Sequence, residues 1–311
     1  MSKTVVILGA KGRFGRAAVT AFTDAGWHVR AFARSWSGPD DRANVELVAG
    51  DAFDPHIVAA SAQGRSIIVN ALNPPYPRWQ SDLPKITAAV IMAAEHTGAT
   101  VMLPGNIYGY GASMPELLTE ATNQTPTVRK GRFRLEMEKA YAGAAEHGVK
   151  TVILRGGDFI ERETTGNWFD SHITANVAKG VILYPGPLDR AHTWAYLPDM
   201  ARAMVGLAET RDSFGAFEQF GFAGYSLSGR ALIEVIEQVV DRGAMKIKSA
   251  PWALIRTLGL LFPQMREIAE MAYLWQVPHT IEGTKLFAAL PGFEPTPLDR
   301  AIADALGIDG C

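Results

Sequence analysis

The sequence predicts an α/β protein: a doubly wound parallel sheet with a smaller, mostly helical C-terminal lobe. Three observations predict it. Short β-branched runs alternate with longer amphipathic segments over the first two-thirds of the chain. A glycine triplet, Gly9, Gly12 and Gly15, stands between the first run and the first amphipathic segment. Beyond residue 156 the alternation becomes irregular, and prolines and tryptophans accumulate.

The runs "TVVIL" (4–8), "HVRAFA" (28–33), "VELVA" (45–49), "SIIVNA" (66–71), "TVMLP" (100–104) and "KTVILR" (150–155) read as strands. Most are apolar nearly throughout, as strands buried on both faces must be. Helices are expected at 13–26, 55–63, 83–97 and 131–147. In the second half they are expected at 168–179, 199–209, 228–242 and 263–274, with a late strand in "FEQFGFA" (217–223). The segment "NPPYPRW" (73–79) reads as a rigid loop after the fourth strand.

In "VVILGAKGRFGRAAV" the glycines close a strand and open a helix. That placement allows a tight turn, backbone approach to a pyrophosphate and close helix–strand packing. The spacing is G-x-x-G-x-x-G, and a purely structural turn is the alternative reading. The second strand ends in "AFARS", so Arg34 stands where an acid would bind the ribose hydroxyls of NAD. An arginine there suits a 2′-phosphate, and Lys11 and Arg13 add charge to the same loop. NADP is therefore the expected cofactor and NAD the lesser alternative. A solvated surface role for Arg34 stays open.

Taken together, "GAKGRFG", "VAGDAFDP" (48–55), "NIYGYG" (106–111), "VILRGGDF" (152–159) and "HTWAYLPDMARAMV" (192–205) resemble the extended or atypical short-chain dehydrogenase/reductases, the epimerase/dehydratase-like group. The resemblance covers most of the chain. It implies a Rossmann domain over 1–160, with 190–223 returning to it, and a substrate lobe made of 161–189 and 224–311. It implies a cofactor site of Gly9, Lys11, Gly12, Arg13, Phe14, Gly15, Arg34, Asp51, Ala52, Ala71, Leu72, Asn106, Arg134, Gly157 and Phe159. Within it, Asp51 would meet the adenine, Ala71 and Leu72 would line the cofactor, and Gly157 to Phe159 would approach the nicotinamide. From composition alone, Asp51 is equally a turn acid. Asp199 resembles a family Asp with a structural role.

The family's catalytic slots are altered. A Ser or Thr after strand five, a Tyr, and a Lys one helical turn later are its usual set, the Lys lowering a tyrosine pKa that is otherwise about 10. Matching Tyr108-Gly109 to the family's Tyr-Gly puts Pro104 in the Ser slot. Aligning the helix through Glu138 puts Lys130 in the Tyr slot and Arg134 in the Lys slot. No Tyr-x-x-x-Lys occurs anywhere in the chain. Tyr108, Lys130 and Arg134 are thus the candidate catalytic residues, with Tyr110 as a further donor, although either tyrosine could be a packed aromatic.

The helix holding Lys130 opens "VRKGRFRLEMEK", with four cations at the end that favours acids. A cofactor phosphate or an anionic substrate is the expected counter-charge. For Arg129 and Arg132 a solvated surface role is the alternative.

The bulk numbers narrow the classes. A net charge of −2 and 48% hydrophobic residues describe an ordinary globule, with no sign of a nucleic-acid or membrane partner. The most apolar stretch, "WALIRTLGLLF", is broken by Arg256 and too short to span a bilayer. With one cysteine, Cys311, and seven scattered histidines, no metal is expected. The first residues lack the apolar run of a signal peptide, so a cytoplasmic location is expected. No G-x-S-x-G elbow suggests a hydrolase. The expected function is an NADP-dependent oxidoreductase or epimerase-like enzyme acting on a small carbonyl or sugar-like molecule. The resemblance allows a homodimer through 83–97 and 131–147. The alternative function is a catalytically inactive NADP-binding sensor of the same fold.

Overall fold

The computed structural model describes residues 3–308, so Cys311 lies outside the described residues. In chain order the first half forms β1 (Thr4–Leu8), α1 (Arg13–Asp24), β2 (His28–Ala33), β3 (Val45–Ala49), α2 (Pro55–Ala62), β4 (Ile67–Asn70), α3 (Trp79–Thr97), β5 (Thr100–Gly105), β6 (Leu117–Leu118), α4 (Arg129–Gly143) and β7 (Thr151–Arg155). The second half forms β8 (Asp158–Ile160), β9 (Val181–Tyr184), β10 (Ala191–Tyr196), α5 (Leu197–Thr210), β11 (Phe217–Gly221), β12 (Tyr225–Ser228) and α6 (Gly229–Val239). It continues with β13 (Lys246–Ser249), α7 (Trp252–Leu258), α8 (Pro263–Glu270), β14 (Thr280–Ile281), α9 (Thr284–Ala289) and α10 (Leu298–Ala305).

Seven parallel strands lie in the order β3-β2-β1-β4-β5-β7-β11. Both faces are covered. On β1, Val5 and Ile7 join a core with Phe14, Val19 and Phe22 of α1 and Met200 and Met204 of α5. Val6 and Leu8 point the other way, toward Val58 of α2, Ile86 and Val90 of α3, and Tyr141 of α4. The strand order reverses between β1 and β4, and there the carboxyl ends of the strands open a crevice for ligands.

The lobe contains more strand than its spacing suggests. β12, β10 and β8 form a small sheet, and β13 pairs with β9. Its core gathers Ile160, Phe169, Trp194, Leu232, Ile236 and Trp275. The returning segment divides: β11 adds to the edge of the main sheet and α5 packs on α1, whereas β10 belongs to the small sheet. The helix expected at 168–179 does not form. A single π-turn covers Phe169–Ile173 and a 3-10 turn covers Val177–Lys179. Local polar side chains take the backbone instead: Asp170 accepts from the Thr165 and Gly166 amides, and Thr174 donates to the Phe169 carbonyl. α3 begins at Trp79, earlier than expected, with Pro84 tolerated in its second turn. No described helix is long and apolar enough to cross a membrane.

Candidate functional site

At the switch point the glycine turn is tied tightly to its neighbours. Gly9 has φ +82°, and a Cβ there would sit 3.0 Å from the Ala71 carbonyl carbon and 3.1 Å from the Leu72 nitrogen. A Cβ on Gly15 would lie within 3 Å of the Gly9 backbone. The first glycine is thus demanded by conformation and the third by helix–strand contact. Gly12 caps α1 with no side-chain hydrogen bond, is exposed, and donates its amide to the Gly9 carbonyl at 2.8 Å. With no acidic side chain in its first turn, α1 presents open amides at a positive dipole end. A dinucleotide pyrophosphate fits that cradle. Phe14 lies in the core beneath it, so its side chain serves packing.

Beside the cradle, Arg34 is exposed and makes no hydrogen bond or ion pair among the described residues. Lys11 donates to the Ser35 carbonyl at 3.3 Å and lies over the Trp36 ring, so it stays at the same corner. Arg13 goes elsewhere. Its guanidinium donates to the Thr165 carbonyl at 2.8 Å and lies 3.9 Å from Glu161, bridging the glycine loop to the lobe. Asp51 is exposed, and one of its oxygens accepts the Phe53 amide at 2.9 Å, a turn acid with its other oxygen left over. Ala52 is buried behind it, and Ala71 and Leu72 are half-buried facing the turn.

Past β5 the chain turns through Asn106, whose side chain accepts the Tyr108 amide at 3.0 Å. A buried ion pair fixes this turn. Arg155, at the end of β7, donates to the Asn106 carbonyl and, at 3.0 and 2.8 Å, to both oxygens of Glu138 on α4. The Tyr108 hydroxyl lies 3.3 Å from that of Tyr76, and its ring stacks on Trp79. Burial, the neighbouring Tyr76 and the Asp158 charge push the Tyr108 pKa well above the ordinary range, only partly opposed by Arg134. This hydroxyl keeps its proton.

Arg134 comes to the same place. It donates to the Asn73 side chain at 2.9 Å, and its guanidinium lies 4.3 Å from the Trp79 ring centre. Its Nε is buried and has no hydrogen-bond partner among the described residues.

Lys130 behaves differently, which corrects the expectation that it faces a ligand. The side chain is only 1% exposed. Its Nζ contacts the Glu267 carboxylate, donates to Glu270 at 2.9 Å and to the Glu267 carbonyl at 3.0 Å, and lies 4.8 Å from the Tyr76 ring centre. Arg129 adds a 2.9 Å bond to Glu267. The Glu270 carboxylate also accepts the Lys130 backbone amide at 3.0 Å, capping α4 from another helix. For Arg129 and Lys130, the counter-charge at the opening of α4 is therefore α8, not a phosphate.

One cluster escapes sequence reasoning. Parallel pairing of β8 with β10 brings Asp158 within 2.9 Å of His192. The His192 ring stacks on Trp275, with centroids 4.2 Å apart, and meets His279 edge-on at 4.7 Å. Burial, with the His192 charge, lowers His279 to about 3, so that ring is neutral. Burial raises Tyr184 and Tyr273, and the Asp158 charge adds to both shifts as it does at Tyr108. The Asp158 carboxylate is thus bonded to His192, and its charge reaches three tyrosines. Such a group can orient or exchange protons with a bound hydroxyl or carbonyl. Asp158 lies in "VILRGGDF" and His192 in "HTWAY", but nothing in the spacing joins them. Between them, Gly157 packs its backbone directly on Thr193, and Phe159 lies half-buried against the core. Among the described residues no three His, Cys, Asp or Glu side chains form a metal-binding group.

Solved structures of similar fold span the whole chain. The GalE-like L-threonine dehydrogenase from Cupriavidus necator is 20% identical with a TM-score of 0.77, covering 98% of this chain and 99% of its own. MoeE5, in complex with UDP-glucose and NAD, is 16% identical with a TM-score of 0.75 and 98% of each chain covered. The Bordetella bronchiseptica enzyme WbmH, in complex with NAD+, is 14% identical with a TM-score of 0.72, covering 99% of this chain and 98% of that one. No curated protein matches the sequence. The fold is that of the epimerase/dehydratase-like enzymes, as the motifs imply. A family model described as NAD(P)H-binding matches residues 9–179, more than half of the chain and most of the crevice, and the protein belongs to that NAD(P)H-binding family.

Proposed function

We propose that the protein is an NADP-dependent oxidoreductase of epimerase-like architecture, acting on a small carbonyl or sugar-like substrate with Tyr108 as proton donor and Arg134 in place of the family lysine. The observation that carries this reading is the placing of the Tyr108 hydroxyl past the carboxyl end of β5, 3.3 Å from Tyr76, with its ring stacked on the Trp79 ring that Arg134 also covers. The bound cofactor would supply hydride transfer to or from a carbonyl carbon. In the reductive direction Tyr108 gives its proton to the substrate oxygen as that carbon gains the hydride. Tyr76, 3.3 Å away and 36% exposed, returns the proton from water.

Arg134, half-buried beside Asn73, would offer its guanidinium to a ribose hydroxyl. Arg34 and Lys11 favour a 2′-phosphate at the other end. In this reading Lys130 is a positioning residue, locking α4 and Tyr76 to the lobe through α8.

A nicotinamide fluorescence assay against aldehydes, ketones and nucleotide sugars tests the proposal. Tyr108→Phe should lower kcat by roughly 10²–10⁴-fold on the best substrate while leaving NADPH affinity unchanged. Wild-type turnover in that variant would refute Tyr108 as donor. One observation favours the sensor reading instead: the residue in the family Tyr slot, Lys130, is consumed by ion pairs. Tight NADPH binding with no turnover across the panel would support it.

A further inference from the structure

We infer that the α7–α8 hairpin docks the protein on an anionic lipid surface. This goes beyond the enzymatic proposal and does not depend on it. The hairpin tip carries the most exposed large apolar side chains among the described residues: Leu260 at 85%, Leu261 at 78%, and Leu254 and Phe262 at 55%. Ile247 of β13 is exposed near by in the chain, at 39%. Side chains of this size are not normally left together in water without a partner.

Along the chain the charge that flanks them has one sign. From Arg242 to Arg266 the chain carries Arg242, Lys246, Lys248, Arg256 and Arg266 and not one acid, in a protein whose net charge is −2. All five are exposed. Exposed Leu and Phe collared by Lys and Arg are the composition of an element lying in the headgroup layer, apolar side chains inward and cations at the phosphates. The first acids on the C-terminal side of the collar, Glu267 and Glu270, are spent on Arg129 and Lys130. α8 is anchored at its C-terminal end, and the turn at Leu260 to Phe262 projects from the anchored part.

A second copy of the chain would satisfy the apolar tip, but not the cations, since it would bring the same collar of positive charge. A bilayer satisfies both. The stretch "WALIRTLGLLF" is too short and too charged to span a membrane, but those features suit a segment that lies on one.

Flotation of the full chain with vesicles tests the inference. Vesicles of equal parts phosphatidylcholine and phosphatidylglycerol should carry the protein, while pure phosphatidylcholine should not, and high salt should release it. The triple variant Leu260→Ser, Leu261→Ser, Phe262→Ser should lose vesicle binding with its thermal midpoint and NADPH affinity unchanged. Lys248→Glu and Arg256→Glu should each weaken binding by roughly fivefold or more. Absence of wild-type binding to anionic vesicles would overturn the inference, as would equal binding by the triple variant. So would a wild-type dimer in solution that the triple variant converts to monomer, which would assign the tip to a second copy.

Discussion

Replacing Lys130 by Ala should destabilise the protein severely, and its effect on activity should follow from that loss. Lys130 is 1% exposed and Glu267 4%, so the variant would leave two neighbouring carboxylates with only the half-exposed Arg129 as counter-charge. Removing one partner of a buried ion pair costs about 3–5 kcal/mol, most of it the penalty for the charge left behind. At about 1.4 kcal/mol per tenfold, the unfolding constant should rise by roughly two to three and a half decades. Chemical denaturation with the m-value monitored is the assay, since a lower midpoint at constant m isolates stability.

A cycle sharpens the test. Glu270→Gln alone should cost less, and adding it to Lys130→Ala should cost less than the two separate losses combined, because the pair couples directly. The pH profile carries a sign. Burial raises Glu270, but hydrogen bonds from the Lys130 side chain and backbone and the nearby cations outweigh it, and its pKa is lowered from 4.5. A carboxylate depressed by folding stabilises above its unfolded pKa, so this contribution should fade as the pH falls below 4.5 through the folded value. In the Lys130→Ala variant that part of the acid sensitivity should be absent. Wild-type stability with a collapsed kcat would refute the clamp and return Lys130 to catalysis.

Three further outcomes bear on the cofactor site. NADPH should bind more tightly than NADH, and Arg34→Ala should narrow the gap by about 1.5 kcal/mol, the low end for a charge-assisted bond at an exposed side chain, as paired titrations would read. Gly12→Val should abolish dinucleotide binding with the circular dichroism unchanged, because a Cβ there already lies 3.1 Å from the Gly9 carbonyl oxygen and branching fills the cradle. Arg134→Ala should weaken NADPH by roughly 1–3 kcal/mol in the same titration, whereas Arg132→Ala, on the exposed side of α4, should not.

What is legible in the sequence is what the chain decides locally. The runs at 4–8, 28–33 and 45–49 form β1, β2 and β3 residue for residue; β1 is apolar because it is buried on both faces, whereas β3, at the sheet edge, keeps its β-branched pattern while half exposed. The glycine turn is legible because strand, turn and helix follow one another directly between Thr4 and Asp24. At 168–179 the apolar spacing suggests a helix, but Asn167, Asp170 and Thr174 compete for the backbone, and period alone does not weigh that competition. The Asp158–His192 contact depends on which strands pair, and the return of β10 beside β8 rather than into the main sheet is not visible in either segment.

The opening of α4 lies between these cases. Four cations at a helix N-terminus violate a local electrostatic preference, and that violation is plain in the residues of "VRKGRFRLEMEK" themselves. A violation of this kind states a requirement: some acceptor must reach the first amides, and some anion must neutralise the excess. It does not state the supplier. A phosphate and a carboxylate from a distant helix meet the requirement equally well on charge. The choice is made by burial. A lysine that is 1% exposed is closed off from a mobile ligand, whereas Arg134, one helical turn later, is only half-buried. The supplier is α8, which caps the amide of Lys130 with Glu270 while pairing its side chain. A residue in the Tyr slot of a dehydrogenase-like helix can thus be held for the assembly of the two lobes, and the proposed chemistry rests on the side chains that the clamp does not take, Tyr108 and Arg134.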